Sequence, residues 1–373
     1  MNSNDTLYRL ALGLVPGIGN ITAKNLIAYC GTAENVFKSK KKHLLRIPGI
    51  GNKTVNELSL KEPLEIAEKE LAFVQKNNVK LLFYTDEEYP IRLKDLYDGP
   101  YMLFLKGNVS INNFSKTVGI VGTRSATDYG KGVVEELISG LKTHKPIIVS
   151  GLAYGIDTQA HKCAIQNNLS TVAIMGNGMK NIYPYPNLGL AKKIVEQGGL
   201  LTEFYSDTKP DAPNFPARNR IIAGLSDALI VVESDFKGGA MITAKFSNGY
   251  NRDVFAVPGK LGDPLSAGCN HLIKSHQANL YTKVEDIEYI MNWDTGITNG
   301  KKVVPVEQLL FDTATEEEKK ILNILKDHPK IFIDELIWKT GLSPQQTSTA
   351  LITMEFDGKV KALPGHHYQL TGR

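Results

Sequence analysis

The sequence predicts an α/β fold: a doubly wound, mostly parallel sheet in the middle of the chain, with a helical segment on either side of it. Three observations predict this. Six short β-branched runs, at 117–122, 146–151, 171–176, 200–204, 228–234 and 253–259, are continuously apolar, as strands covered on both faces are. The intervals between them are long enough for crossover helices. Glycine-rich stretches follow the carboxyl ends of most of these runs, where open parallel sheets lead into helices and bind ligands.

Composition limits the alternatives. At 373 residues, 42% apolar and 22% charged, the chain has the make-up of a folded protein, not a disordered or fibrous one, and its length predicts two or three domains. No apolar run approaches the roughly 20 residues that span a bilayer. The N-terminus, MNSNDTLYRLALGL, lacks the basic region of a secretory signal. Cys30, Cys163 and Cys269 form neither a disulfide framework nor a metal-ligand spacing, so a cytoplasmic, metal-free protein is expected.

The first domain, 1–84, carries an internal near-repeat: PGIGN at 16–20 and again at 48–52, each between two apolar-periodic stretches. That reads as helix, tight turn, helix, twice, and is similar to a pair of helix-hairpin-helix (SAM-like) motifs. Gly17, Gly19, Gly49 and Gly51 are expected to supply positive φ and close backbone approach. The module could hold nucleic-acid phosphate, with Lys24 and Lys53 as secondary contacts beside the basic run Lys38, Lys40, Lys41, Lys42 and Arg46, or it could serve for packing. Residues 1–85 hold 12 basic and 7 acidic side chains, 86–314 hold 23 and 24, and the remainder 8 and 8. Attraction for an anionic polymer must therefore be local.

The second domain, 85–293, contains the six strands, preceded by an entry segment at 86–116. A linker is expected at 294–314. The tail, 315–373, opens on Thr315 and Glu318 in capping-box spacing and continues as three helices and a terminal hairpin, a winged-helix pattern. Its second reading-helix candidate, 343–356, has Gln345 and Gln346 but no lysine or arginine, which favours protein contact over sequence-specific duplex binding.

The unusual residues gather at strand ends: Gly122 and Arg124; Ser150 and Gly151; and Gly238, Gly239 and Thr243. The first loop lacks the Gly-x-Gly-x-x-Gly fingerprint, so no dinucleotide cofactor is expected. The stretch Phe215 to Ser226, with Arg218, Asn219 and Arg220, is the least ordinary in the chain. Arg124, Arg218 and Arg220 are expected around one anionic groove, with Phe215 or Tyr183 stacking on an unpaired base, a combination that binds single strands. Alternatively, any of these arginines pairs with Glu203 or Glu233. No catalytic set assembles: His161, one turn after Asp157, reads as structural, and neither Ser150 nor Ser234 has a histidine near it in sequence.

GTR at 122–124, SGLAYGIDTQAH at 150–161, GNGMKNIYPYPN at 176–187, FPARNRIIAGLS at 215–226, GGAMITA at 238–244 and VFAVPG at 254–259 together resemble the DNA-processing protein A (DprA/Smf) family. The resemblance implies an extended Rossmann-like domain with a helical N-terminal and a winged-helix C-terminal module. It further implies single-stranded DNA binding, a homodimer, and loading of the RecA recombinase during natural transformation, without catalysis or cofactor. Matched motif to motif, it places phosphate contacts on Arg124, Ser150, Gly151, Arg218, Asn219, Arg220, Gly238, Gly239 and Thr243. Two departures stand out: Lys237 where the family commonly has serine, and Lys274 to Ala278 in place of a glycine-alanine pair. The alternative is a nucleotide-processing enzyme of the lysine-decarboxylase-like phosphoribohydrolase type, although the third glycine and the glutamate of that loop are missing after Gly239.

Overall fold

The computed structural model describes residues 3–293, 315–328, 330–357, 359–363 and 367–370. Two compact units are present, divided at residues 294/295. The linker expected at 294–314 lies outside the described residues.

The first unit is built on a nine-stranded sheet: β1 (Lys80–Phe83), β2 (Met102–Gly107), β3 (Thr117–Gly122), β4 (Ile147–Ser150), β5 (Thr171–Ile174), β6 (Gly199–Thr202), β7 (Ala228–Val232), β8 (Asp253–Ala256) and β9 (Asn279–Leu280). Their order is β1-β2-β6-β5-β4-β3-β7-β8-β9. From β6 to β9 every pairing is parallel, while β2 meets β6, and β1 meets β2, antiparallel. All six predicted strands are present. The sequence reading missed β1, β2 and β9, which lie at the two edges. β1 falls before residue 84 yet pairs with β2 beyond it, so the helical segment and the sheet share one unit.

Side-chain alternation accounts for the layering. Val121, Ile147, Val149, Leu229 and Val231 face the Asn214–Leu225 helix on one side of the sheet, where Ile221, Ile222 and Leu225 cover them. Val118, Ile120, Ile148, Ile230 and Val232 face the Asp128–Gly140 and Ile156–Gln166 helices on the other. Both faces are dry, which is why the strands read as unbroken apolar runs. The chain moves outward from β3 in two directions, to β4, β5 and β6 and then to β7, β8 and β9. The switch point, and so the ligand crevice, is therefore at the carboxyl ends of β3 and β7.

Both N-terminal near-repeats form helix, turn, helix. The first joins the Ser3–Leu14 and Asn20–Cys30 helices, and the second joins the Lys41–Leu44 and Asn52–Glu57 helices. Gly17 and Gly49 adopt φ of +83° and +81°, as expected. Gly19 and Gly51 do not: they are extended N-caps, and a Cβ on any of the four would meet open space, so close approach is not their role. This module packs on β1 and β2 through Leu10, Leu26, Val36, Val74, Phe83 and Phe104.

The second unit has three helices, Glu316–Asp327, Ile333–Thr340 and Pro344–Phe356, and a three-stranded sheet of β10 (Ile331–Phe332), β12 (His367–Leu370) and β11 (Val360–Leu363), in that order. That is a winged helix, with Thr315 and Glu318 forming the expected capping box. Among the described residues, no helix is long and apolar enough to cross a membrane.

Candidate nucleic-acid interface

The crevice beyond β3 and β7 holds a cavity of about 640 Å³. One side is the turn after β3, with Gly122, Thr123 and Arg124, and the facing side is the turn after β7 and the helix that follows, with Gly238, Gly239 and Thr243. Between them the Asn214–Leu225 helix contributes Phe215, Arg218 and Asn219. Gly122 and Gly238 are required by crowding: a Cβ on Gly122 would strike the Val232 carbonyl, and one on Gly238 the Ser234 hydroxyl.

Arg124 is exposed, and its guanidinium lies 5.7 Å from the centroid of the Phe215 ring. Tyr183, 44% exposed, packs beside the same ring with the centroids 5.5 Å apart. The three make a continuous surface of one cation and two aromatic planes at the mouth of the cavity. Asn219 accepts from the Arg218 Nε at 3.1 Å and donates to the Gly239 carbonyl at 3.3 Å, joining the helix to the glycine turn. The Gly239–Gly249 helix starts at that turn, and the amide groups at a helix start lack the acceptor four residues back that later amides have.

Arg218 is only 4% exposed and forms part of the cavity floor. Its guanidinium donates to the carbonyls of Gly151 and Ile174, tying the ends of β4 and β5 to the helix. Burial lowers its pKa to about 10, an effect partly offset by the Asp157 carboxylate and reinforced by Arg124. Asp157, buried beside it, is raised chiefly by desolvation and held down by Arg218. The adjacent loop is strained: Leu152, fully buried, has φ of +63°. Three successive carbonyls there are anchored, Gly151 by Arg218, Leu152 by the Asn187 amide at 2.9 Å, and Ala153 by the Thr158 hydroxyl at 2.6 Å.

Several expected contacts fall elsewhere. The three guanidiniums do not surround one groove. Arg124 stands at the rim and Arg218 in the floor, but Arg220 turns away and pairs with Glu203, which also accepts from Asn20 at 3.2 Å. Arg220 thus ties the helical module to the sheet. Ser150 is fully buried and donates to the Ile120 carbonyl at 2.6 Å, outside the cavity lining. Gly151 serves through its carbonyl, and a Cβ there would collide with Arg218 and Asp157. Lys24 donates to the Gly99 carbonyl at 2.8 Å and lies 5.4 Å from the Tyr84 ring centroid, with its pKa lowered by burial. Lys53 is exposed.

The sequence reading passed over Asp157 as a partner of Arg218, and Asp235 as a cavity residue. Asp157 lies within the stretch 150–161, but its pairing with Arg218 joins positions far apart in the chain, whereas Asp235 is placed by the turn after β7 itself. His161 bonds through Nδ1 to the Thr171 hydroxyl at 2.7 Å, and burial lowers its pKa to about 3, which fits a structural histidine. Among the described residues, no three His, Cys, Asp or Glu side chains are grouped to hold a metal ion.

Known proteins are similar to this chain in sequence and fold. The family described as DNA recombination-mediator protein A matches residues 80–292, and the DprA winged helix domain matches 310–366. Protein Smf of Synechocystis is 31% identical over 403 aligned positions, covering 99% of this chain and all of that protein. DNA processing protein DprA of Streptococcus pneumoniae is 43% identical over 202 positions, covering 54% of this chain and 71% of that protein. The X-ray structure of the S. pneumoniae protein superposes with a TM-score of 0.64 at 35% identity, covering 77% of this chain and 97% of that one. The structure of DNA processing protein A from Helicobacter pylori, which concerns that protein's single-stranded DNA binding mode, gives 0.53 at 29% identity, covering 58% and 96%. The match spans the sheet with its crevice and the winged helix alike, and on that ground the chain belongs to the DNA recombination-mediator protein A family.

Proposed function

We propose that this chain binds single-stranded DNA in the β3/β7 crevice without chemistry, and that as a homodimer in the cytoplasm it passes the strand to the RecA recombinase during natural transformation. The observation that carries the reading is the Arg124, Phe215 and Tyr183 surface: an exposed guanidinium against two aromatic planes at the mouth of a cavity. A base stacks on the rings while the guanidinium and the amides of the glycine turn take phosphate oxygens. Duplex DNA keeps its bases paired and offers no such face. The groups beneath the cavity favour holding over turnover, because Arg218 is committed to carbonyls and His161 lies buried without acid-base reach. DNA contacts are assigned to Gly122, Arg124, Phe215, Asn219, Gly238, Gly239 and Thr243, with Arg218 as their support.

Arg124→Ala removes one charge-assisted contact and should weaken binding of a single strand by about 1.5–3 kcal/mol, roughly tenfold to a hundredfold. Fluorescence anisotropy on the folded variant measures it, and unchanged affinity would refute the assignment. Assembly of RecA filaments on a single strand, timed with and without the protein, tests the hand-over. Incubation with nucleoside monophosphates should release no base.

A further inference from the structure

The two PGIGN repeats have nearly the same backbone, with Gly17 and Gly49 at φ +83° and +81° and Gly19 and Gly51 as extended caps, but they face different surroundings. The first copy is used for packing. Asn20 accepts from the Tyr101 amide at 2.8 Å and donates to Glu203, and Lys24 holds the Gly99 carbonyl. In the second copy the matching positions, Asn52 and Asn56, make no side-chain hydrogen bond to a sheet residue among the described residues, and Lys53 stands where the first copy has Ile21.

Around this second copy positive charge prevails, with Glu34 and Glu57 bounding the run at its two ends. From Asn35 to Asn56 there are six lysines and arginines and no aspartate or glutamate. Lys38 is paired with Glu34, and Lys41 donates to Asn56 at 3.0 Å, which draws the Lys41–Leu44 helix against the Asn52–Glu57 helix. Lys53 lies one turn before Asn56 on the same face. Lys40, Lys42, Arg46 and Lys53 are all exposed, and among the described residues their side chains have no ion-pair or hydrogen-bond partner. From Lys38 to Glu62 there is also no phenylalanine, tyrosine or tryptophan.

We infer that this face of the helical module, formed by Lys40, Lys42, Arg46 and Lys53, is a second nucleic-acid surface that takes the phosphate backbone of duplex DNA. The chemistry complements that of the crevice. A cationic patch without stacking planes has nothing to offer an unpaired base but neutralises the dense, regular phosphates of a double strand. The inference goes beyond the crevice reading and does not depend on it.

The test uses the full chain and two labelled probes, a blunt duplex of about 20 base pairs and a single strand of about 20 nucleotides, at about 50 mM salt. The combined variant Lys40→Gln, Lys42→Gln, Arg46→Gln, Lys53→Gln changes only exposed side chains and should keep the thermal midpoint. Duplex affinity should fall by roughly tenfold or more, and the slope of log affinity against log salt should become shallower by about 3 to 4, while single-strand affinity is retained. A wild-type protein that does not bind the duplex, unchanged duplex affinity in the variant, or equal loss on both probes would each overturn the inference. The Arg124→Ala protein provides the cross-check: it should lose the single strand and keep the duplex. If it keeps both, the crevice reading fails and the patch still stands.

Discussion

Arg124, in the turn after β3, and Arg220, in the Asn214–Leu225 helix, were expected in one groove, yet they do different work. Arg124 reaches solvent over the Phe215 ring, whereas the Arg220 and Glu203 side chains are only 12% and 11% exposed. Arg220→Ala leaves Glu203 without its cation in a poorly solvated place, which should cost about 3 kcal/mol. Calorimetry should show a lower thermal midpoint, with single-strand affinity of the folded protein close to wild type. A large affinity loss without destabilisation would return Arg220 to the binding surface. His161 makes a pH prediction. Its folded pKa of about 3 is below the ordinary 6.5 because burial disfavours the charged ring. Its contribution to stability is therefore complete above pH 6.5 and is lost as pH falls from there toward 3. His161→Asn should make the decline in unfolding free energy across that range shallower, and an equally steep decline would contradict the burial argument.

At the scale of elements, the glycines of the two repeats separate by conformation. Gly17 and Gly49 sit at positive φ, where a side chain costs about 1–2 kcal/mol. Gly19 and Gly51 are N-caps with extended backbone and open space around them, where serine is preferred. Gly17→Ser and Gly49→Ser should each lower stability by that amount. Gly19→Ser and Gly51→Ser should be neutral or gain a few tenths of a kcal/mol, all read from chemical denaturation. The sequence marked these turns but could not rank their glycines, because the four occur in two identical Pro-Gly-Ile-Gly strings and only the backbone path distinguishes them. The six central strands were legible because both faces of each are buried. Edge strands β1 and β9 have little such pressure, and β9 has only two residues. β2 was missed although four of its residues are buried, because it follows the turn-rich segment 84–101 and the run Met102–Gly107 does not stand apart from it.

At the scale of the whole molecule, a net charge of +4 is too small to draw a polynucleotide by itself. Affinity must come from a few contacts, with Arg124 and the glycine-turn amides taking about three phosphates. Raising salt from about 50 to 200 mM should then weaken single-strand binding by only about threefold, because Arg124 alone among these contacts carries a charge, measured by anisotropy. A loss of several hundredfold would imply a much longer cationic path than the crevice provides. The departure at Lys274 to Ala278 is absorbed without disturbing this frame. The Pro264–Lys274 helix closes at Ser275, and His276 turns the chain at φ +55° into β9.

What the sequence determined by itself is whatever depends on neighbours along the chain: the strands, the paired helical turns, the winged-helix tail and the glycine-rich loops at the strand ends. Periodicity and turn chemistry are local, and they survive in the order of residues. Tertiary structure alone decided which arginine meets solvent. The assignment of Arg218 to the Gly151 and Ile174 carbonyls, of Arg220 to Glu203, and of Lys24 to Gly99 depends on strands brought together from distant positions. A guanidinium has the same sequence signature whether it binds a carbonyl, a carboxylate or a phosphate, and only the partner's location in space selects among them.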